Sequence, residues 1–179
     1  MNKKTGKNTA ARKMAFCGVF AALSLVLLYV GGLTVLDLTL LMLCSFITVV
    51  VIIETGDKYG YIYAAVTSAL ALILLPSKLY AVEYIVFSTV YPIIKPHIER
   101  IPNRVVAWVL KIAALDAMLL GCVLLGQFIL NVGDEFFPLS LLTMLFGTAF
   151  FILYDFAFSK CIKLYLVKLR KIFGFSKYL

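Results

Sequence analysis

The chain has 179 residues, 63% of them apolar, with a formal net charge of +8 and a mean hydropathy of +1.03. A soluble domain contains roughly 45–50% apolar residues, so this composition excludes a soluble globular protein. The apolar residues form continuous blocks without two-residue alternation, which excludes the strand pattern of a membrane β-barrel. Backbone groups in lipid must then be paired within helices. The sequence predicts an all-α, polytopic membrane protein with a single domain.

Six apolar stretches approach the roughly 20 residues that a helix needs to cross the hydrocarbon core of a bilayer. We expect each to be one helix of a six-transmembrane-helix bundle. The predicted spans are Met14–Val30, Val35–Ile53, Tyr59–Leu75, Tyr80–Ile94, Val105–Leu130 and Pro138–Phe158.

The connecting segments alternate in charge. Every Lys and Arg except Lys78 falls on the side that also carries both termini. Basic residues accumulate in cytoplasmic segments, so both termini are predicted to be cytoplasmic in a multi-pass protein of the cell (plasma) membrane. Residues 1–13 form a basic N-terminus, residues 14–158 the bundle, and residues 159–179 a basic amphipathic tail. We expect that tail to lie along the inner leaflet, with an extension of the sixth helix as the alternative.

Motifs for catalysis, cofactors and metals are missing from the sequence. The four cysteines are scattered singly and His97 is the only histidine, so we expect no metal site and no cofactor. There is no G-x-S-x-G, H-E-x-x-H or P-loop motif, and the chain is predicted not to be an enzyme. The basic tail is expected to bind anionic lipid headgroups and no nucleic acid.

Asp116 and Asp155 lie inside predicted spans and away from their outer ends, where a charge needs a compensating interaction. Asp116 lies midway along the fifth span. It is either a ligand or proton site or, as we favour, a structural group bonded to a neighbouring helix or to Lys111. Asp155 lies near the inner end of the sixth span, and we expect a structural pairing with Lys160 or with an arginine of a loop.

Polar and aromatic residues gather at the outer ends of the helices. Such a mixture suits a small-molecule site, which needs apolar walls and a few oriented polar groups. The alternative is an ordinary belt of interfacial residues. The candidate substrate-binding residues are Asp37, Lys78, Tyr80, Glu83, Tyr84, Gln127 and Asn131.

Two further segments suggest contacts with partners. The first span has small residues four apart, Ala11 with Ala15 and Gly18 with Ala22. This spacing lets helices approach closely, either at a partner interface or within the bundle. Residues 91–102 contain three prolines, which predict a kinked, irregular cytoplasmic segment. It is either a docking loop or, as we favour, a stiff end to the fourth helix.

The chain resembles the substrate-binding S components of the energy-coupling-factor (ECF) vitamin transporters. The likeness lies in its size, its six helices with both ends inside, and a basic N-terminus that runs into an alanine-rich first helix, ARKMAFCGVFAALSLVLLY. Asp37 at the start of the second helix is also similar, as are the inner turn ETGDKYG and the third helix, YAAVTSALALILLP, which ends at Pro76.

The resemblance implies a subunit that binds a vitamin-like small molecule from outside and associates with a transmembrane coupling subunit and two cytoplasmic ATPases. The family's small-residue face, which meets the coupling subunit, corresponds to Ala11 and Ala15, or one turn later to Gly18 and Ala22. One alternative is a non-transport partner or scaffold subunit of another membrane complex. A third class is a membrane-embedded enzyme that uses Asp116 or Asp155.

Overall fold

The computed structural model describes residues 3–34, 36–128 and 141–170, and every regular element within these ranges is helical. Within these ranges, seven α-helices and two π-helices follow one another. They are α1 (Lys3–Gly31), α2 (Asp37–Thr55), α3 (Asp57–Leu74), α4 (Lys78–Glu83), the first π-helix (Tyr84–Val90), α5 (Tyr91–Glu99), α6 (Arg104–Phe128), α7 (Leu141–Leu164) and the second π-helix (Tyr165–Leu169).

These elements form six helical segments, as the sequence predicts, because α4, the first π-helix and α5 are continuous. The segments run beyond the predicted bounds at several ends. The first already begins at Lys3 and the fourth continues to Glu99. Among the described residues, two stretches, Ala10–Gly31 and Asp37–Thr55, are long and apolar enough to cross a membrane by length and composition.

Helix α2 lies at the centre of the bundle and contacts α1, α3, α5, α7 and the first π-helix. One residue, Gly56, separates α2 from α3, and its φ of 89° lies in the left-handed region that glycine adopts without a side-chain clash. The two helices then pack closely, with Gly60 of α3 facing Ile52 of α2. Helices α1, α2 and α3 each contact the other two and form a compact group.

The expectation of an irregular segment over residues 91–102 is wrong for its first nine residues, which form α5. Pro92 follows the first π-helix without a break and Pro96 lies inside α5, so each removes one backbone N–H donor from the continuous segment. Tyr91, Lys95 and Ile98 lie on the buried face of α5. Their packing outweighs the local cost of Pro96, so the helix ends only at Glu99.

The basic segment after Phe158 continues α7 and the second π-helix without a break. Of the two alternatives for this segment, the described part is therefore an extension of the sixth helix. Tyr165 and Arg170 reach across to the buried Glu54 at the end of α2, where the Tyr165 hydroxyl donates to Glu54 Oε1 at 3.1 Å. The rest of the tail lies outside the described residues.

Candidate functional site

At the predicted outer end, the structure brings Asp37 and Tyr80 together. Asp37 is the first residue of α2, and its carboxylate accepts a hydrogen bond from the backbone N–H of Leu38 at 2.7 Å. The buried Tyr80 donates its hydroxyl proton to the Asp37 carbonyl oxygen at 3.3 Å. A Cβ atom at Gly31 would lie 2.3 Å from the Tyr80 hydroxyl oxygen, so glycine makes room for this contact.

The other candidates at this end have different surroundings. Lys78 donates to the carbonyl oxygens of Leu72 and Leu75 at 2.7 and 3.1 Å, and so caps the last turn of α3. Glu83 is half-buried, and Tyr84 is fully buried inside the bundle. Gln127 lies in the last turn of α6, and Asn131 lies outside the described residues.

A second polar group, which the sequence analysis missed, lies at the opposite, basic end of the helices. Lys95 of α5 and Lys111 of α6 both contact the carboxylate of Asp155 in α7, and the Lys111–Asp155 distance is 2.9 Å. The three side chains are 3%, 8% and 3% exposed, so this is a buried ion pair with two cations on one carboxylate. The expected pairing of Asp155 with Lys160 or a loop arginine is wrong, because its partners come from two other helices.

The remaining groups complete this charge network, which consists of Lys95, Glu99, Lys111 and Asp155. Glu99 bridges Lys95 and Lys111 at 3.4 and 2.8 Å, and its half-exposed carboxylate brings the network to formal neutrality. Tyr91 donates its hydroxyl proton to Asp155, and Lys95 also donates to Ser159 Oγ at 2.7 Å. The network ties α5, α6 and α7 together.

Aromatic rings surround the two buried lysines. The Lys95 Nζ atom lies 5.8 Å from the Tyr91 ring centre and 5.4 Å from that of Phe158. The Lys111 Nζ atom lies 5.5 Å from the Trp108 ring centre. Ring faces attract cations at these distances, and the attraction partly replaces lost hydration. Both Asp155 oxygens are engaged by cations, so this carboxylate has no oxygen free to act as a nucleophile or base.

Asp116 lies partly buried in the middle of α6. Lys111, one of the two alternatives expected as its partner, is bonded to Glu99 and Asp155 instead. Within the described ranges, no hydrogen bond or ion pair involves the Asp116 carboxylate.

The small-residue face of α1 points away from the bundle. Ala11, Ala15, Gly18 and Ala22 are all exposed. No atom lies within 4 Å of a Cβ atom built at Gly18. Next to Gly18, an apolar groove of about 210 Å³ runs between α1 and α3, lined by Met14, Cys17, Ala21, Tyr59, Ile62, Tyr63 and Val66.

Comparisons with known proteins give no relative. No family model, no curated protein and no solved structure matches this chain. Across the described ranges, no group of three or more His, Cys, Asp or Glu side chains is placed to hold a metal ion.

Proposed function

We propose that this chain is the substrate-binding subunit of a membrane uptake system for a vitamin-like small molecule. Its six helical segments span the cell membrane with both termini in the cytoplasm. A separate transmembrane coupling subunit and two cytoplasmic ATPases supply the energy for transport. The two long apolar helices and the asymmetric distribution of basic residues support the membrane location.

The observation that carries the proposal is the exposure of the small residues on α1. Small residues inside a bundle serve internal packing, whereas here Ala15, Gly18 and Ala22 face away from it. In lipid, helices associate through close van der Waals contact, and small side chains permit the shortest approach. The α1 face therefore suits a helix of a second membrane subunit.

Leucine at Gly18 or at Ala22 is expected to abolish partner assembly and leave the chain folded. The Gly18 position has open space for a side chain, so the bundle tolerates the substitution, while a partner helix is held away. A mild-detergent pull-down of the tagged chain, read by proteomics, measures assembly, and size-exclusion chromatography measures folding.

Ala113→Leu is the matched control, because Ala113 is also an exposed small residue but lies on a different helix, α6. We expect it to retain the partners. Full assembly and transport in both α1 variants would contradict the proposed interface. Recovery of partners other than an ATPase module would favour the scaffold alternative.

The membrane topology has its own test. In a cysteine-free background, Leu33→Cys is expected to react with an impermeant maleimide added outside intact cells. Lys58→Cys is expected to react only after the cells are opened. Leu33 follows α1 and Lys58 lies in the first turn of α3, and both are exposed, so reactivity reports the side of the membrane. Labelling of both or the reverse order would overturn the proposed orientation.

Substrate binding is tested on the same purified chain by small-molecule mass spectrometry. The Asp37–Tyr80 contact lies at the proposed outer end and is the part of the predicted site that the described residues bring together. We expect a co-purified metabolite in the wild type and its loss in Tyr80→Ala. A metabolite retained in full by Tyr80→Ala would place the binding site elsewhere in the bundle.

A further inference from the structure

The apolar groove beside Gly18 has a buried floor and two exposed sides. Its floor includes the buried Tyr63 and the half-buried Cys17 and Ala21. Exposed apolar side chains of α1 and α3 form its rim: Met14, Ile62 and Val66. A helix with its side chains is about 10–12 Å wide, so it can lie across such a groove without entering it. A single hydrocarbon chain is narrow enough to lie inside.

The position of the groove along the helices fits one leaflet of a membrane. On α3 its lining runs from Tyr59, where the third predicted span begins, to Val66. This length of helix is about 10 Å, less than the roughly 15 Å that one leaflet contributes to the hydrocarbon core. Tyrosine is enriched at the level of the lipid headgroups, so Tyr59 marks the end of the groove nearest the membrane surface.

Two lysines lie at that end, one on each helix. The Lys13 Nζ atom lies 5.7 Å from the Tyr59 ring centre and donates to the Thr55 carbonyl oxygen at 3.0 Å. An ammonium group has three N–H donors, and this carbonyl takes one of them. Lys58 is exposed in the first turn of α3, four residues before Ile62, and so lies on the side of α3 that lines the groove.

The acidic residues of the same region leave this end positive. Glu54 is buried and is bound by Tyr165 and Arg170. Asp57 is exposed, but four residues later on its side of α3 comes Tyr61, which is outside the groove lining. The sequence adds further cations to the N-terminal part of α1: Lys3, Lys4, Lys7 and Arg12. The groove therefore joins an apolar cleft to a cationic end, a combination complementary to an anionic lipid.

We propose that this groove binds one phospholipid with an anionic headgroup. One acyl chain lies between α1 and α3, and the phosphate lies between Lys13 and Lys58. Lipid tails are as apolar as the groove, so the groove supplies shape and the lysines supply the selectivity. The inference rests on the proposed membrane location, in which this end faces the cytoplasmic leaflet with its anionic lipids.

Native mass spectrometry of the full chain in mild detergent tests the proposal. The two probes are phosphatidylglycerol and phosphatidylcholine with identical acyl chains. Each lysine near an anionic headgroup raises the affinity about fivefold, so we expect phosphatidylglycerol to bind about 25-fold more tightly than phosphatidylcholine. Equal affinities for the two lipids overturn the proposal.

Lys58→Gln is expected to reduce the preference for phosphatidylglycerol about fivefold. Lys163→Gln is the matched control, because Lys163 is also exposed at the basic end but lies on α7. We expect this control to keep the wild-type preference. An equal loss in both variants shows a diffuse attraction to the basic surface and overturns a site at the groove.

Gly18→Leu places a side chain in the groove, whereas Ala22→Leu places one on the same helix outside the groove lining. We expect Gly18→Leu to weaken the binding of both lipids and Ala22→Leu to leave it unchanged. The proposed subunit interface predicts a different pattern, because both leucine variants lose the partners and Lys58→Gln keeps them. The two proposals can therefore fail separately. Unchanged lipid binding in Gly18→Leu shows that no acyl chain lies in the groove.

Discussion

Replacement of Asp155 by alanine is expected to lower the free energy of unfolding by about 3–5 kcal/mol, the usual effect of removing one partner from a buried ion pair. The Asp155 carboxylate accepts hydrogen bonds from Lys95, Lys111 and Tyr91. Without it, Glu99, which is half-exposed, is the counter-charge that the described residues still offer to the two buried ammonium groups. Thermal and denaturant unfolding of the purified chain in detergent measure the loss.

Glu99→Gln is the matched control, because it removes the other carboxylate of the same network. The Glu99 side chain is 46% exposed and both lysines keep their contacts with Asp155, so we expect a loss below about 1 kcal/mol. If Asp155→Ala does not lower the free energy of unfolding by more than Glu99→Gln does, then Asp155 is not the main counter-charge of the two lysines.

A triple replacement tests whether the stability of the bundle needs the buried charges themselves or only needs each buried charge to have a partner. Lys95→Met, Lys111→Met and Asp155→Leu together remove the three buried charges and leave Glu99, whose side chain is 46% exposed to water, as the remaining charge of the network. Apolar replacement of a whole buried ion pair is often neutral or stabilising. We therefore expect the triple variant to be more stable than Asp155→Ala alone. If both variants lose the same free energy, packing of the Asp155 side chain, rather than its charge, holds α5, α6 and α7 together.

The number and type of the helices could be predicted because the apolar blocks are long and continuous, a pattern that leaves only helices as membrane structure. Their ends could not be predicted equally well. Local rules for proline predict a break near Pro92 and Pro96. The structure continues the helix because Tyr91 and Lys95 pack against α7, a contact that the local sequence does not contain.

The charge network could not be predicted because its members are far apart in the sequence. Lys95 is 60 residues and Lys111 44 residues from Asp155. Each lysine also has a sufficient local explanation, since basic residues mark the cytoplasmic ends of helices. Only the rotation of α5, α6 and α7 about their axes shows that these charges face one another. A helix that is apolar on most sides gives no sequence signal for that rotation.

The same limit applies to glycine. Gly18 and Gly60 both lie inside helices and look alike in the sequence, yet their surroundings are opposite. Gly18 has no atom within 4 Å of a Cβ position, whereas a Cβ at Gly60 would lie 2.5 Å from Cγ1 and 3.1 Å from Cα of Ile52. The spacing of small residues alone does not tell whether a glycine serves internal packing or partner binding. The atoms around each glycine in the structure distinguish the two roles.

Leucine at Gly60 is therefore expected to destabilise the chain by about 3 kcal/mol, the upper part of the range for overpacking a core. The contact with Ile52 includes its backbone, so a leucine side chain at Gly60 must push α2 and α3 apart. The one-residue turn at Gly56 opposes that separation. The better helix propensity of leucine recovers only about 1 kcal/mol. Gly18→Leu is the paired control and is expected to unfold at the wild-type temperature. Equal stability of the two variants would show that α2 and α3 do not depend on this close approach.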